Sequence, residues 1–276
     1  MQLGMIGLGK MGANMAERLV AAGHDVVGFD LSREAVDEVI ARGARGADSP
    51  DDLMAQLDPP RAVWIMVPQG DPVDATLAAL LPSAQPGDTF IDGGNSYYRD
   101  TLNRAELCSE GGTHFVDVGT SGGVWGLTDG YSMMVGGDET AVDRLRPIFE
   151  ALAPAPDKGW GRVGPSGSGH YVKMIHNGIE YGMMQSYAEG FALLQAKEEF
   201  GLDLAQIGDI WEHGSVVRSW LLDLTTAALR ENPGMTDIAP YVPDSGEGRW
   251  TVFESIDLNV AAPIIGLSLM RRIGSR

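Results

Sequence analysis

Short apolar runs alternate with helical patterns through the first half of the chain. Residues 2–7 (QLGMIG) predict a buried strand, followed by Gly7-Leu8-Gly9-Lys10-Met11-Gly12 and a helix to about Ala22. Gly23-His24 marks a turn, Asp25 to Asp30 a second strand, Glu34 to Arg42 a helix, and the residues near Ala47 a short strand. Ala62 to Val67, Thr89 to Asp92, His114 to Val118 and Tyr131 to Val135 predict further strands. Strands alternating with helices imply βαβ units on a largely parallel sheet. Glycine becomes dense over residues 159–169, and beyond it only helical periods continue, to about Met270. The expected architecture is an α/β Rossmann-type dinucleotide-binding domain over 1–163, followed by an all-α domain over 164–276.

In that second half, Lys173, His176, Asn177 and Glu180 fall at i, i+3, i+4 and i+7, on one side of a helix. Val172, Met174, Ile175, Ile179, Met183 and Met184 fill the other sides, and Gly178 and Gly182 allow close approach of neighbours. A helix apolar on its remaining faces is expected to be buried, its polar stripe lining an internal cleft. An amine and a carboxylic acid two turns apart can move protons. His170, one turn before Lys173, is expected to satisfy a backbone carbonyl.

Gly7-x-Gly9-x-x-Gly12 follows a strand and opens a helix, the context in which this spacing signals a dinucleotide site. The first glycine makes the turn, the second lets backbone N–H groups of Leu8, Lys10 and Met11 approach a pyrophosphate, and the third permits helix–strand packing. Asp30, at the end of the second strand, would accept ribose hydroxyls and repel a 2′-phosphate, so NAD is favoured and NADP is left open. Arg33 could instead contact a 2′-phosphate, stack on adenine or stay solvated. Val67-Pro68-Gln69 leaves the carboxyl end of a strand, where ligands bind in open parallel sheets.

The 276 residues carry a net charge of −18, which disfavours nucleic-acid partners and anionic membranes. No apolar run reaches the ~18 residues of a membrane span, and the first residues lack a leader's features. A single cysteine, Cys108, fits a reducing, cytoplasmic setting. The histidines at 24, 114, 170, 176 and 213 lack ligand spacing, so no metal site is expected.

The glycine turn, Asp92-Gly93-Gly94-Asn95-Ser96, Gly119-Thr120-Ser121-Gly122-Gly123, the run Gly169 to Tyr181 (GHYVKMIHNGIEY), Arg218-Ser219-Trp220-Leu221 and Gly246 to Thr251 (GEGRWT) occur together. In this set the chain resembles decarboxylating 6-phosphogluconate dehydrogenases, especially their short bacterial form, within the β-hydroxyacid dehydrogenase superfamily. The resemblance spans nearly the whole chain. It implies oxidative decarboxylation of 6-phosphogluconate to ribulose 5-phosphate with reduction of NAD(P), by a homodimer or homotetramer. It makes Lys173 the general base and Glu180 the later acid. Asn95 would sit beside nicotinamide and substrate, Ser121-Gly122-Gly123 would bind the substrate carboxylate, and His176 and Asn177 its reacting end. Tyr181 and Arg272, with or without Arg271, would reach the phosphate, whereas by position alone the two arginines could equally be cations stabilising a helix C-terminus. The base role requires a lysine pKa lowered from ~10.4 toward neutrality, which burial can supply. Where long-form relatives carry Lys-Gly-Thr, this chain has Ser245-Gly246-Glu247, so those phosphate contacts do not transfer. The long-form tail that completes the phosphate pocket across a subunit interface lies outside these residues. Two other readings are a β-hydroxyacid dehydrogenase or reductase without decarboxylation, and a dinucleotide sensor without catalysis.

Overall fold

The computed structural model describes every residue from Met1 to Arg276. The chain folds as two compact units, Met1–Met174 and Ile175–Arg276. The first begins with β1 (Gln2–Ile6), α1 (Lys10–Ala21), β2 (Asp25–Phe29), α2 (Arg33–Ala41), β3 (Arg45–Gly46) and α3 (Pro50–Ala55). It continues with β4 (Ala62–Ile65), α4 (Asp71–Leu80), β5 (Thr89–Asp92), α5 (Tyr98–Glu110) and β6 (His114–Ser121). The remainder is α6 (Gly126–Asp129), β7 (Ser132–Gly136), α7 (Glu139–Arg144), α8 (Arg146–Leu152) and β8 (Trp160–Gly164).

The sheet order is β3-β2-β1-β4-β5-β6-β7-β8. All neighbours pair in parallel except β6 with β7. Because helices cover both faces, strand residues of either parity are apolar and buried: Leu3, Met5, Val26, Val27, Val63, Trp64, Ile65, Phe90 and Ile91. They feed two apolar clusters, one built around Trp64 and Phe149, the other around Phe90 and Leu77. The chain reverses direction across the sheet between β1 and β4, which opens a crevice at their carboxyl ends.

Two strands differ from the sequence expectation. β6 runs on to Ser121, because Gly119, Thr120 and Ser121 pair antiparallel with Met134, Met133 and Ser132. β8 lies inside the glycine-rich stretch where no strand was expected. It is an edge strand with only Trp160 and Val163 as apolar residues, too little for a period-two pattern.

α9 (Ser168–Ala196) starts in the first unit and continues into the second, where α10 (Leu204–Glu212), α11 (Trp220–Glu231), α12 (Glu247–Asp257) and α13 (Pro263–Gly274) follow. Phe191, Leu222 and Leu229 form a small core there, with Trp211 tilted on Phe191 at a centroid distance of 5.7 Å. Gly208 lets α10 approach α11, since a Cβ would sit 2.4 Å from Thr226 Oγ1. The burial expected for α9 holds at Tyr181 and Phe191 but fails on part of its surface. Ile179, Met183 and Met184 are 54, 36 and 39% exposed. No helix is long and apolar enough to cross a membrane.

Candidate active site

In the first unit, the β1–α1 turn follows from its glycines. Gly7 has φ +90°, and a Cβ there would lie 2.3 Å from the Met66 carbonyl oxygen. A Cβ on Gly12 would lie 1.9 Å from the Gly7 carbonyl oxygen. Both are therefore needed for packing the turn itself. Gly9 differs, because a Cβ there would enter open space. Gly9 is also the N-cap of α1, with no side chain capping the helix and no acid in its first turn. Lys10 beside it is exposed and Met11 half-buried. An uncapped helix N-terminus under open space suits a pyrophosphate.

Asp30 stands one residue past β2, and its carboxylate accepts the Leu8 N–H at 2.6 Å and the Ser32 N–H at 2.8 Å. It therefore shapes the glycine turn while keeping oxygen lone pairs for ribose hydroxyls. Val67 and Pro68 follow β4 at the crevice. The β5–α5 loop is held against them, since a Cβ on Gly93 would lie 2.1 Å from Trp64 Nε1 and one on Gly94 3.2 Å from the Val67 carbonyl oxygen. Buried Asp92 closes this loop by accepting the Gly94 N–H at 3.1 Å and the Ser96 hydroxyl at 2.7 Å. The bend leaves Asn95 exposed at its tip. Ser121 ends β6, and Gly122 and Gly123 follow at φ +130° and +53°, a turn that side chains rarely adopt. Asn14 and Arg18 of α1 donate to the carbonyls of Val124 and Leu127 just beyond it.

Lys173 is 5% exposed, at the end of the first unit. The helix bearing it lies so close to β6 that a Cβ on Gly119 would sit 2.3 Å from Lys173 Cβ. A Cβ on Gly169 would lie 2.5 Å from the carbonyl oxygens of Asp117 and Met134. Fully buried Asp117 receives the first turn of α9, accepting the Gly167 N–H at 2.7 Å and the His170 N–H at 2.8 Å. A carboxylate at a helix N-terminus is favoured by the helix dipole. The His170 ring does not meet a backbone carbonyl. Its Nδ1 lies 2.7 Å from the Thr101 hydroxyl, because α5 rather than a free peptide edge faces that turn.

In the second unit, His176 is exposed, with Nδ1 3.0 Å from Asn177 Oδ1, and Glu180 is half-buried on the same helix. Tyr181 is 4% exposed and fills the space that Gly248 leaves, where a Cβ would lie 2.3 Å from its ring. Its hydroxyl lies 3.4 Å from Asp244 Oδ1 and 3.4 Å from Ser245 Oγ. The Arg272 guanidinium lies over the Tyr181 ring, 3.4 Å from its centroid, and donates to the Pro243 carbonyl at 3.0 Å. Asp244 accepts Arg249 at 2.7 Å and lies 3.9 Å from Arg276. Burial pushes the Asp244 carboxyl up, but Arg249, the Gly246 N–H and Arg276 together hold it below the ordinary carboxylate value. Tyr181 and Arg272 are thus brought together, whereas Arg271 has no place in this cluster.

Sequence reasoning missed Asp117, Thr101 and Asp244. For Asp117 a signal existed: an acid within the apolar run Phe115 to Val118 must find buried donors. Asp244 and Thr101 carry no local mark, because their partners lie far away in sequence.

A family profile described as the NAD binding domain of 6-phosphogluconate dehydrogenase matches residues 2–161, and one for the 6-phosphogluconate dehydrogenase C-terminal domain matches residues 169–276. An NAD(+)-dependent, decarboxylating 6-phosphogluconate dehydrogenase of Haloferax volcanii is 48% identical, over 100% of this chain and 91% of the relative. The solved structure of Plasmodium falciparum 6-phosphogluconate dehydrogenase superposes with a TM-score of 0.91 at 29% identity, covering 100% of this chain and 62% of that one. A Mycobacterium tuberculosis 3-hydroxyisobutyrate dehydrogenase gives 0.74 at 26%, over 97% and 90%. With both halves matched and the glycine turn, the Gly-Gly-Asn loop and the buried lysine in place, the chain belongs to the 6-phosphogluconate dehydrogenase family.

Proposed function

We propose that this chain catalyses oxidative decarboxylation of 6-phospho-D-gluconate to D-ribulose 5-phosphate and carbon dioxide, with NAD as the preferred oxidant. The observation that carries the reading is the buried Lys173 amine, set against β6 by Gly119 in a chain matched along both halves to this family. The cofactor site fits a dinucleotide through the open space at Gly9, the uncapped start of α1 and the Asp30 carboxylate. When bound, NAD supplies the hydride acceptor for C3.

Lys173 takes the proton of the C3 hydroxyl. The amine must be neutral to do so, and a side chain this buried sits where charge is costly. The resulting ammonium then polarises the 3-keto oxygen while the bond from C1 to C2 breaks and carbon dioxide leaves. Glu180 delivers a proton to the new C1 of the enediol, and tautomerisation gives the ketose. Glu180 lies seven positions beyond Lys173 on α9, a rise of ~10.5 Å along the helix axis, so they act on different atoms in different steps. Asn95 orients nicotinamide and substrate. Ser121 and the amides of Gly122 and Gly123 hold the carboxylate, His176 and Asn177 the reacting hydroxyl, and Tyr181 with Arg272 the phosphate.

The working form is a homo-oligomer. Phe253, Ile256, Ile264, Leu267 and Met270 are each more than half exposed on α12 and α13, and Ile179 likewise on α9. Apolar residues in such number mark a protein interface. The free, buried Cys108 suits the reducing cytoplasm. Reduced-nicotinamide absorbance with 6-phosphogluconate, together with carbon dioxide detection, tests the reaction. Equal amounts of both products are expected. Turnover of an unphosphorylated hydroxy acid with none of 6-phosphogluconate would overturn it.

A further inference from the structure

We propose that Asp37 and Asp48 set the nucleotide preference by holding the Arg33 guanidinium away from a 2′-phosphate. This inference rests on the NAD reading above and names residues that act beside Asp30 in that preference.

Arg33 is the first residue of α2, three positions beyond Asp30, on the edge of the sheet where the adenosine ribose lies in this fold. An arginine at that edge is the usual means of accommodating a 2′-phosphate. Here it is already engaged. Its Nε lies 2.9 Å from Asp37 Oδ1, one turn along α2, and a terminal nitrogen lies 2.6 Å from Asp48 Oδ1.

Asp48 comes from a different element, the segment between β3 and α3, and that segment is fixed. The Ala47 N–H donates to the Gly28 carbonyl at 2.9 Å, the Asp48 N–H to Asp52 Oδ2 at 2.9 Å, and the Asp52 N–H to Ser49 Oγ at 3.0 Å. The Asp48 backbone is therefore fixed where its side chain can meet Arg33. The side chains of Arg33, Asp37 and Asp48 are 62, 60 and 82% exposed, so the triad contributes little to folding. Its consequence is local charge: two carboxylates hold one guanidinium, and a third, Asp30, lies three residues before it in the chain. A phosphate dianion entering there must separate Arg33 from two partners and meet a net negative edge. NAD carries no charge at that position and meets neither obstacle.

Asp30 is a poor place to test this, because its carboxylate also orders the glycine turn through Leu8. Asp37 and Asp48 make no such contact. The experiment measures kcat/KM for both cofactors with the full chain and 6-phosphogluconate, and NADP binding by fluorescence titration without substrate. In Asp37→Asn/Asp48→Asn the NADP-to-NAD ratio should rise about tenfold, and NADP should bind more tightly. Asp48→Glu should keep the original ratio. Adding Arg33→Met to the double variant should abolish the gain, which a merely structural role for the pair would not produce. An unchanged ratio in the double variant, or a gain that survives without Arg33, would overturn the proposal. The titration reads the same question without turnover, so loss of the reaction assignment and loss of this inference are separate results.

Discussion

A Cβ added at Gly7, Gly12, Gly93 or Gly119 would fall within 2.3 Å of a neighbouring atom of the first unit. In the second unit, by contrast, Ile179, Ile264, Leu267 and Ile256 stand 54 to 66% exposed. The first unit places the residues proposed for the cofactor by close backbone packing completed within one chain. The helical unit carries side chains on helices whose outer faces one chain does not cover. Preorganisation in the first should therefore be intrinsic, and in the second dependent on assembly.

The sharpest way to break this comparison is at Lys173, the proposed base, which the first unit buries. Lys173→Met keeps the length and apolar stem of the side chain but removes the amine. kcat should fall by about 10³-fold or more, while NAD titration still reports binding. Turnover within tenfold of the original would remove Lys173 from the chemistry.

Glu180 tests the second unit's share. Glu180→Gln preserves shape and removes the proton, and kcat should fall about 10²-fold. Stopped-flow absorbance and trapped carbon dioxide separate its step from hydride transfer. A variant that still forms reduced cofactor at nearly the original rate would favour the simpler β-hydroxyacid dehydrogenase chemistry.

The third intervention acts on the uncovered face. Leu267→Asp places a charge where 64% of the leucine is exposed, so the isolated chain should tolerate it. Light scattering on a sizing column should show the mass drop toward a single chain, and KM for the substrate should rise. Unchanged mass would show that the α13 face is not the assembly surface.

These contrasts also mark what the sequence could reveal. The glycine turn, the six parallel strands β1 to β6 and the stripe from Lys173 to Glu180 are local, and period or spacing sufficed to read them. β8 was illegible because two of its five residues are glycines and none of the five is buried. The expectation of a fully buried α9 failed for a different reason: apolar residues on three faces indicate that something covers them, not that the same chain does. Asp117 at the start of α9, and Asp244 beneath Arg249 and Tyr181, depend on long-range partners that no local pattern encodes.

Asp244 offers the smallest and most specific test, because it concerns only how the second unit orders its own basic residues. Its carboxylate is 3% exposed and is bonded by Arg249. Burial alone would raise its pKa, but Arg249, the Gly246 N–H and Arg276 outweigh that and lower it. A carboxyl whose folded pKa is depressed stabilises the fold at pH values above its unfolded value and loses that contribution as pH falls through the folded one. Asp244→Asn should therefore cost about 1–2 kcal/mol at neutral pH, seen as a lower denaturation midpoint. The gap from the unchanged chain should hold down to about pH 5 and close below about pH 4 as the native carboxyl protonates. A gap that persisted undiminished into strong acid would mean that the Asp244 charge contributes nothing and that its shape alone matters. Arg249 would then need no carboxylate to hold it in place.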